Sequence, residues 1–157
     1  MIELTIPDSA AMEALGARIA PLLRAGDLVL LEGELGAGKT TFTRGLGAAL
    51  GVRGAVTSPT FVLARTHPTA QGTPLVHVDA YRLTTAREVD DLDLDFAHAI
   101  VVVEWAAGKL VDVTDSWIEL GIERPHGGDP DAEEEPRTVR ITGVGPRWAG
   151  LEEALRA

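Results

Sequence analysis

Leu28-Val29-Leu30-Leu31-Glu32-Gly33-Glu34-Leu35-Gly36-Ala37-Gly38-Lys39-Thr40 is the stretch on which the reading of this chain turns. Four apolar residues in a row, with no polar alternation, suit a strand covered on both faces. The eight residues 33–40 then match G-x-x-x-x-G-K-[ST] throughout. Backbone N–H groups can wrap a phosphate chain only where no Cβ blocks the approach, which calls for glycine at 33, 36 and 38. The cradle would be completed by the backbone of Glu34, Leu35 and Ala37. A helix opening at Lys39 and running through Phe42, Leu46 and Leu50 to Gly51 would bring its positive end to the phosphates. Lys39 supplies a full charge to the β and γ phosphates, the Thr40 hydroxyl can ligate Mg²⁺, and Thr41 adds a further phosphate contact. A glycine-rich turn that happens to hold a lysine is the bland alternative. The buried strand before the motif and the helix after it favour a nucleotide-binding P-loop.

Working outward, Ile2, Leu4 and Ile6 alternate with polar residues up to Pro7, as in a half-buried strand. Asp8 or Ser9 then caps a helix with Met12, Leu15, Ile19, Leu22 and Leu23 on one face. Gly26-Asp27 reads as a turn. Beyond the P-loop helix, further strands are expected over 61–65, 75–78 and 99–103, with a helical stretch near 87–92. The last third changes character: Ile118, Leu120 and Ile122 alternate with polar neighbours, as do Val139 and Ile141. These two strands are expected to pair as an antiparallel hairpin, and a short helix with Trp148, Leu151 and Leu155 closes the chain. Trp117 and Trp148 are expected in the core. The pattern predicts one domain over 1–157: a three-layer α/β fold with a mainly parallel central sheet and an antiparallel C-terminal extension.

Charge narrows the choice of partners. The chain has 157 residues and a net charge of −10, and nothing in it resembles a basic stripe. Such a surface repels phosphate backbones, so direct, tight nucleic-acid binding is not expected. Asp129, Asp131, Glu133, Glu134 and Glu135 read as a solvated loop between the two hairpin strands. No run approaches the roughly 18 to 20 apolar residues of a membrane span, Met1-Ile2-Glu3-Leu4 lacks the basic start and apolar run expected of a signal peptide, and cysteine is absent. The expected location is the cytoplasm.

A P-loop does not define a reaction, so a carboxylate is sought at the end of a neighbouring strand. Two are found. Val76-His77-Val78-Asp79 ends one apolar run and Ile100-Val101-Val102-Val103-Glu104 ends another; in a parallel sheet both would emerge at the P-loop edge. Capping or simple exposure is the alternative for either one alone. His77 reads as a hydrogen-bonded core residue. No Asn-Lys-x-Asp or Thr-Lys-x-Asp sequence marks a guanine reader, and the histidines show no zinc spacing.

The ordered set of residues 33–42, Ser58-Pro59-Thr60-Phe61, His77-Val78-Asp79-Ala80-Tyr81-Arg82-Leu83 and Glu104-Trp105 resembles the bacterial TsaE family over residues 8–105. The resemblance implies a small ATPase needed to make threonylcarbamoyladenosine in tRNA, working with the proteins TsaB and TsaD and weakly active without them. It implies ATP and Mg²⁺ as cofactors, with Lys39 on the phosphates and Thr40 and Glu104 on the metal. Asp79 would order the attacking water, and Ser58, with Thr57 and Thr60, would lie on a loop that follows the nucleotide state. Met12 stands where the family often has threonine. Two other readings share the P-loop: a small-molecule kinase, betrayed by transfer of label to a metabolite, and a nucleotide-dependent binding module with negligible turnover.

Overall fold

The computed structural model describes residues 1–33, 38–52, 64–70, 72–79, 96–104, 115–124 and 136–156. Among these, seven strands and three α-helices follow one another along the chain: β1 (Ile2–Ile6), α1 (Ser9–Ile19), β2 (Leu28–Gly33), α2 (Lys39–Ala49), β3 (Ala64–His67), β4 (Leu75–Asp79), β5 (Ile100–Glu104), β6 (Trp117–Glu123), β7 (Arg137–Val144) and α3 (Leu151–Arg156). The strands form one sheet in the order β1-β7-β6-β2-β5-β4-β3. Its centre, β6-β2-β5-β4, is parallel. Antiparallel partners complete both sides: β3 on β4, and the β6–β7 hairpin extended by β1. The expected α/β sheet with an antiparallel C-terminal extension is thus present, and the parallel core is four strands wide.

Local sequence accounts for most element ends. The Asp8 side chain caps α1 by accepting from the Ala11 N–H at 2.8 Å, one of the donors a helix start leaves unpaired. Pro21 has no N–H to continue an α-helix, and a short 3₁₀ turn, Ala20–Leu22, follows instead. At the other end of α2, Gly51 takes φ +77°, a left-handed conformation suited to glycine. The strand expected over 61–65 is seen as β3, Ala64–His67; residues 61–63 and the helical stretch near 87–92 lie outside the described residues.

One face of the sheet carries α1 and α2. Met12, Leu15 and Ile19 from α1 and Phe42 and Leu46 from α2 pack on Val29, Leu31, Val102, Ile118, Leu120 and Ile141. The two helices approach at glycines. A Cβ built on Gly16 would lie 2.3 Å from the Phe42 carbonyl oxygen, and one on Gly45 would lie 2.1 Å from that of Glu13. Only hydrogen fits at either position, so the helices meet backbone to backbone and α2 is fixed against its neighbour. Trp148 is buried as expected. Trp117 is not a core residue: it is half-buried, and its indole N–H donates to the exposed Glu119 carboxylate at 2.8 Å. Its position on the solvent side of a one-faced strand explains the difference.

Candidate functional site

The phosphate-loop reading can be followed at both ends of the loop. β2 ends at Gly33 and α2 begins at Lys39, so the strand-to-helix context that the motif requires is present. Gly38 immediately precedes the helix with φ +117°, a conformation that side chains with a Cβ rarely adopt. A Cβ there would also come within 3.3 Å of Met12 Cε. The first intrahelical bond runs from the Phe42 N–H to the Gly38 carbonyl at 2.9 Å. Lys39 and Thr40 therefore stand at the positive end of α2.

Lys39 is 6% exposed, a degree of burial unusual for lysine. Its Nζ donates to the Gly33 carbonyl at 2.8 Å. The side chain thereby spans the loop from the start of α2 to the end of β2, and a full charge is held where the motif requires one. Thr43 secures the first turn by donating its hydroxyl to the Lys39 carbonyl at 2.9 Å. Thr40 and Thr41 occupy that turn, both half-buried. Glu34, Leu35, Gly36, Ala37 and Ser58 lie outside the described residues, as do Thr57, Thr60, Tyr81, Arg82 and Trp105.

The two candidate carboxylate positions end neighbouring strands. Asp79 and Glu104 are register partners between β4 and β5, and Glu104 is in turn the partner of Leu31 in β2. Two residues beyond Leu31 the chain reaches Gly33. Parallel pairing has brought the ends of β4, β5 and β2 to one edge of the sheet, as the P-loop reading requires. Glu104 is 4% exposed, and its Oε1 has no hydrogen-bond partner among the described residues. For Asp79 the backbone position alone is described.

His77 departs from expectation. It is fully buried, yet neither ring nitrogen has a hydrogen-bond partner among the described residues. Its Nε2 lies 3.2 Å from Glu104 Oε1, because His77 pairs with Val102 and so stands diagonally from Glu104 on the same face. His67, on β3, has its pKa lowered by burial first, then by His77 and Arg65. It is held toward the neutral form.

Whether Mg²⁺ suits these residues can be judged from the donors. Among the described residues no group of three or more His, Cys, Asp or Glu is placed to hold a metal ion. Mg²⁺ at phosphate sites takes one or two carboxylates and completes its shell with phosphate oxygens and water. A buried carboxylate oxygen without a partner, on the strand beside the P-loop strand, is a hard donor of the right kind. Glu104 and the hydroxyl of Thr40 fit such an ion.

Three features escaped the sequence reading. The Gly16–Gly45 helix contact and the packing of Met12 against Gly38 depend on how two helices cross, and no local pattern encodes that. The approach of His77 to Glu104 follows from the parallel register of β4 on β5, which sets His77 beside Val102, two residues before Glu104. No described helix is long and apolar enough to cross a membrane.

Comparison with known proteins gives the family and the fold. The family model for threonylcarbamoyl adenosine biosynthesis protein TsaE matches residues 6–128. A curated relative from Streptomyces coelicolor, named tRNA threonylcarbamoyladenosine biosynthesis protein TsaE, is 56% identical over 150 residues, which is 93% of this chain and 99% of the relative. A protein of the same name from Bacillus subtilis is 35% identical over 146 residues, covering 91% and 86%. Among solved structures, the crystal structure of Bacillus subtilis YdiB is similar with a TM-score of 0.74 at 29% identity, covering 99% of this chain and 94% of that one. The chain belongs to the TsaE family.

Proposed function

We propose that this protein binds ATP with Mg²⁺ at its P-loop, hydrolyses it, and uses the cycle to support a TsaB–TsaD complex in making threonylcarbamoyladenosine in tRNA. The pathway comes from the names of its relatives. The observation that carries the nucleotide chemistry is the convergence at one sheet edge: Lys39 bonded across the loop to Gly33, and the buried Glu104 on the adjacent strand.

In this reading the chain supplies position and charge, which is most of what phosphoryl transfer asks of a protein. Lys39 and the start of α2 hold the β and γ phosphates. Thr40 and Glu104 hold Mg²⁺, which when bound neutralises charge developing on the phosphate oxygens. Asp79, in register beside Glu104, orders the attacking water. The net charge of −10 favours action through protein partners over direct contact with tRNA, and a cytoplasmic setting goes with that role.

Calorimetric titration with Mg·ATP tests the site. Lys39→Ala removes a charge-assisted contact worth about 1.5 to 3 kcal/mol, so affinity should fall about tenfold to a hundredfold while the fold persists. Unchanged affinity would end the P-loop assignment. Capture of TsaB and TsaD in ATP, in ADP and without nucleotide, with tRNA omitted, tests the partner half of the reading; equal capture in all three states would remove the nucleotide switch.

A further inference from the structure

We infer that His77 is a positioning residue for Glu104: its imidazole fixes the direction of the carboxylate and so sets the affinity of the site for a divalent cation. The inference rests on the reading of Glu104 as the Mg²⁺ ligand.

Burial makes His77 an odd choice for structure alone. It sits in β4 between Val76 and Val78, both buried, and has 0% of its surface exposed. A buried polar ring whose nitrogens find no hydrogen-bond partner among the described residues loses its hydration without recovering it from them. Leucine would fill such a position at lower cost. Among the described residues, the ring's Nε2 stands 3.2 Å from Glu104 Oε1, and that oxygen likewise has no hydrogen-bond partner among them. Three buried atoms without a partner among the described residues thus lie together beside the P-loop edge.

The neighbours of Glu104 on this sheet face sharpen the point. Leu31 is beside it in β2 and Val102 precedes it in β5, both apolar and both fully buried. Of its described sheet neighbours Leu31, Val102 and His77, only His77 carries a side-chain donor. The distance is already within hydrogen-bond range, so alignment needs a turn of the ring, not a shift of the strand. An imidazole N–H on Oε1 would hold the carboxylate in one rotamer and leave its other lone pairs for the cation. Outer groups that orient a ligand in this way typically contribute about tenfold to a hundredfold to metal affinity.

The test measures Mg²⁺ binding directly, by titrating Mg²⁺ into protein that holds a non-hydrolysable ATP analogue, with thermal melting in parallel. Glu104→Gln is measured first: wild-type Mg²⁺ affinity in that variant would overturn the ligand assignment itself. With that assignment standing, His77→Leu should weaken Mg²⁺ about tenfold to a hundredfold with a melting midpoint equal to or above wild type. His77→Gln, whose amide nitrogen can stand near the place of Nε2, should recover most of the loss. A purely structural histidine predicts the opposite pattern, a lowered midpoint with Mg²⁺ affinity intact. Wild-type affinity in His77→Leu, or no recovery in His77→Gln, would overturn the inference. Should the leucine variant not fold, His77→Met removes the donor at similar length and is judged by the same outcomes.

Discussion

In the parallel strands β2, β5 and β4, residues 28–31, 100–104 and 75–78 are buried without interruption, on both faces of the sheet. In β6, which pairs parallel with β2 but antiparallel with β7, and in β1, burial alternates, and Glu119, Glu123, Glu3 and Thr5 project to solvent. The two regions share one hydrogen-bonded sheet and differ in what covers it. The doubly buried part presents its C-terminal edge to the P-loop and holds Lys39's partner Gly33, the Asp79 position and Glu104. The one-faced part holds no candidate site residue. A buried strand end can keep a carboxylate dry and fixed in direction, which an exposed β-ribbon cannot do, so chemistry and burial fall on the same side.

Two substitutions on one sheet face would break this contrast most directly. Val101 in β5 and Glu119 in β6 both lie on the face opposite α1 and α2, as their partners Leu28 and Leu30 in β2 show. Val101 has no exposed surface, whereas Glu119 is open to solvent. Val101→Asp places an unpaired charge in the interior and should cost about 3 to 5 kcal/mol, a large part of a typical domain's stability. Glu119→Gln should change stability by less than about 0.5 kcal/mol. Denaturant midpoints of the two variants give the comparison. Equal losses would mean that the second face of the parallel strands is not sealed.

Glycines sharpen the same contrast with a smaller effect. In Gly45→Ala the new methyl meets the Glu13 carbonyl, so the helices must part; overpacking of this kind costs about 1 to 3 kcal/mol. Since α2 begins with Lys39, nucleotide affinity should fall together with stability. Gly121 in β6 has nothing within 4 Å of a built Cβ and no positive φ, so Gly121→Ala should be neutral or slightly stabilising. Melting and ATP titration of both variants decide the matter. A tolerant Gly45 would show that the helix contact does not set the loop.

These residues also show where the sequence was legible. The P-loop strand and helix could be read because residues 28–40 carry their own instructions: an apolar run, glycines where Cβ is excluded, then helical spacing. The β6–β7 hairpin was equally plain from alternation. Pairing of β1 with β7, by contrast, joins residues more than a hundred positions apart, and no local pattern names the partner of an alternating strand. The carboxylate positions were found because strand-end placement is local. Their register beside Leu31 required the sheet. Gly16 and Gly45 look like ordinary helix-weakening glycines until the crossing of the helices shows what each one faces.

The smallest predicted effect lies on the open face of the antiparallel part. Arg140 in β7 reaches both neighbours, with Nε 3.0 Å from Glu3 Oε2 in β1 and Nη1 3.0 Å from Glu123 Oε1 in β6. Hydrogen bonding and attraction to Glu123, with a further contribution from Glu3, raise the guanidinium pKa; arginine is charged with or without that help. The three side chains are 40%, 56% and 60% exposed, so water and salt screen the attraction. Arg140→Ala should therefore lower the melting temperature slightly at low ionic strength. At about 1 M salt, where the screening length shrinks to about 3 Å, the difference from wild type should disappear. Melting curves over a salt series make the check. A loss that persists in high salt would mean that the arginine stem, and not the charge, joins these strands, and the open face would then be less open than its alternating burial indicates.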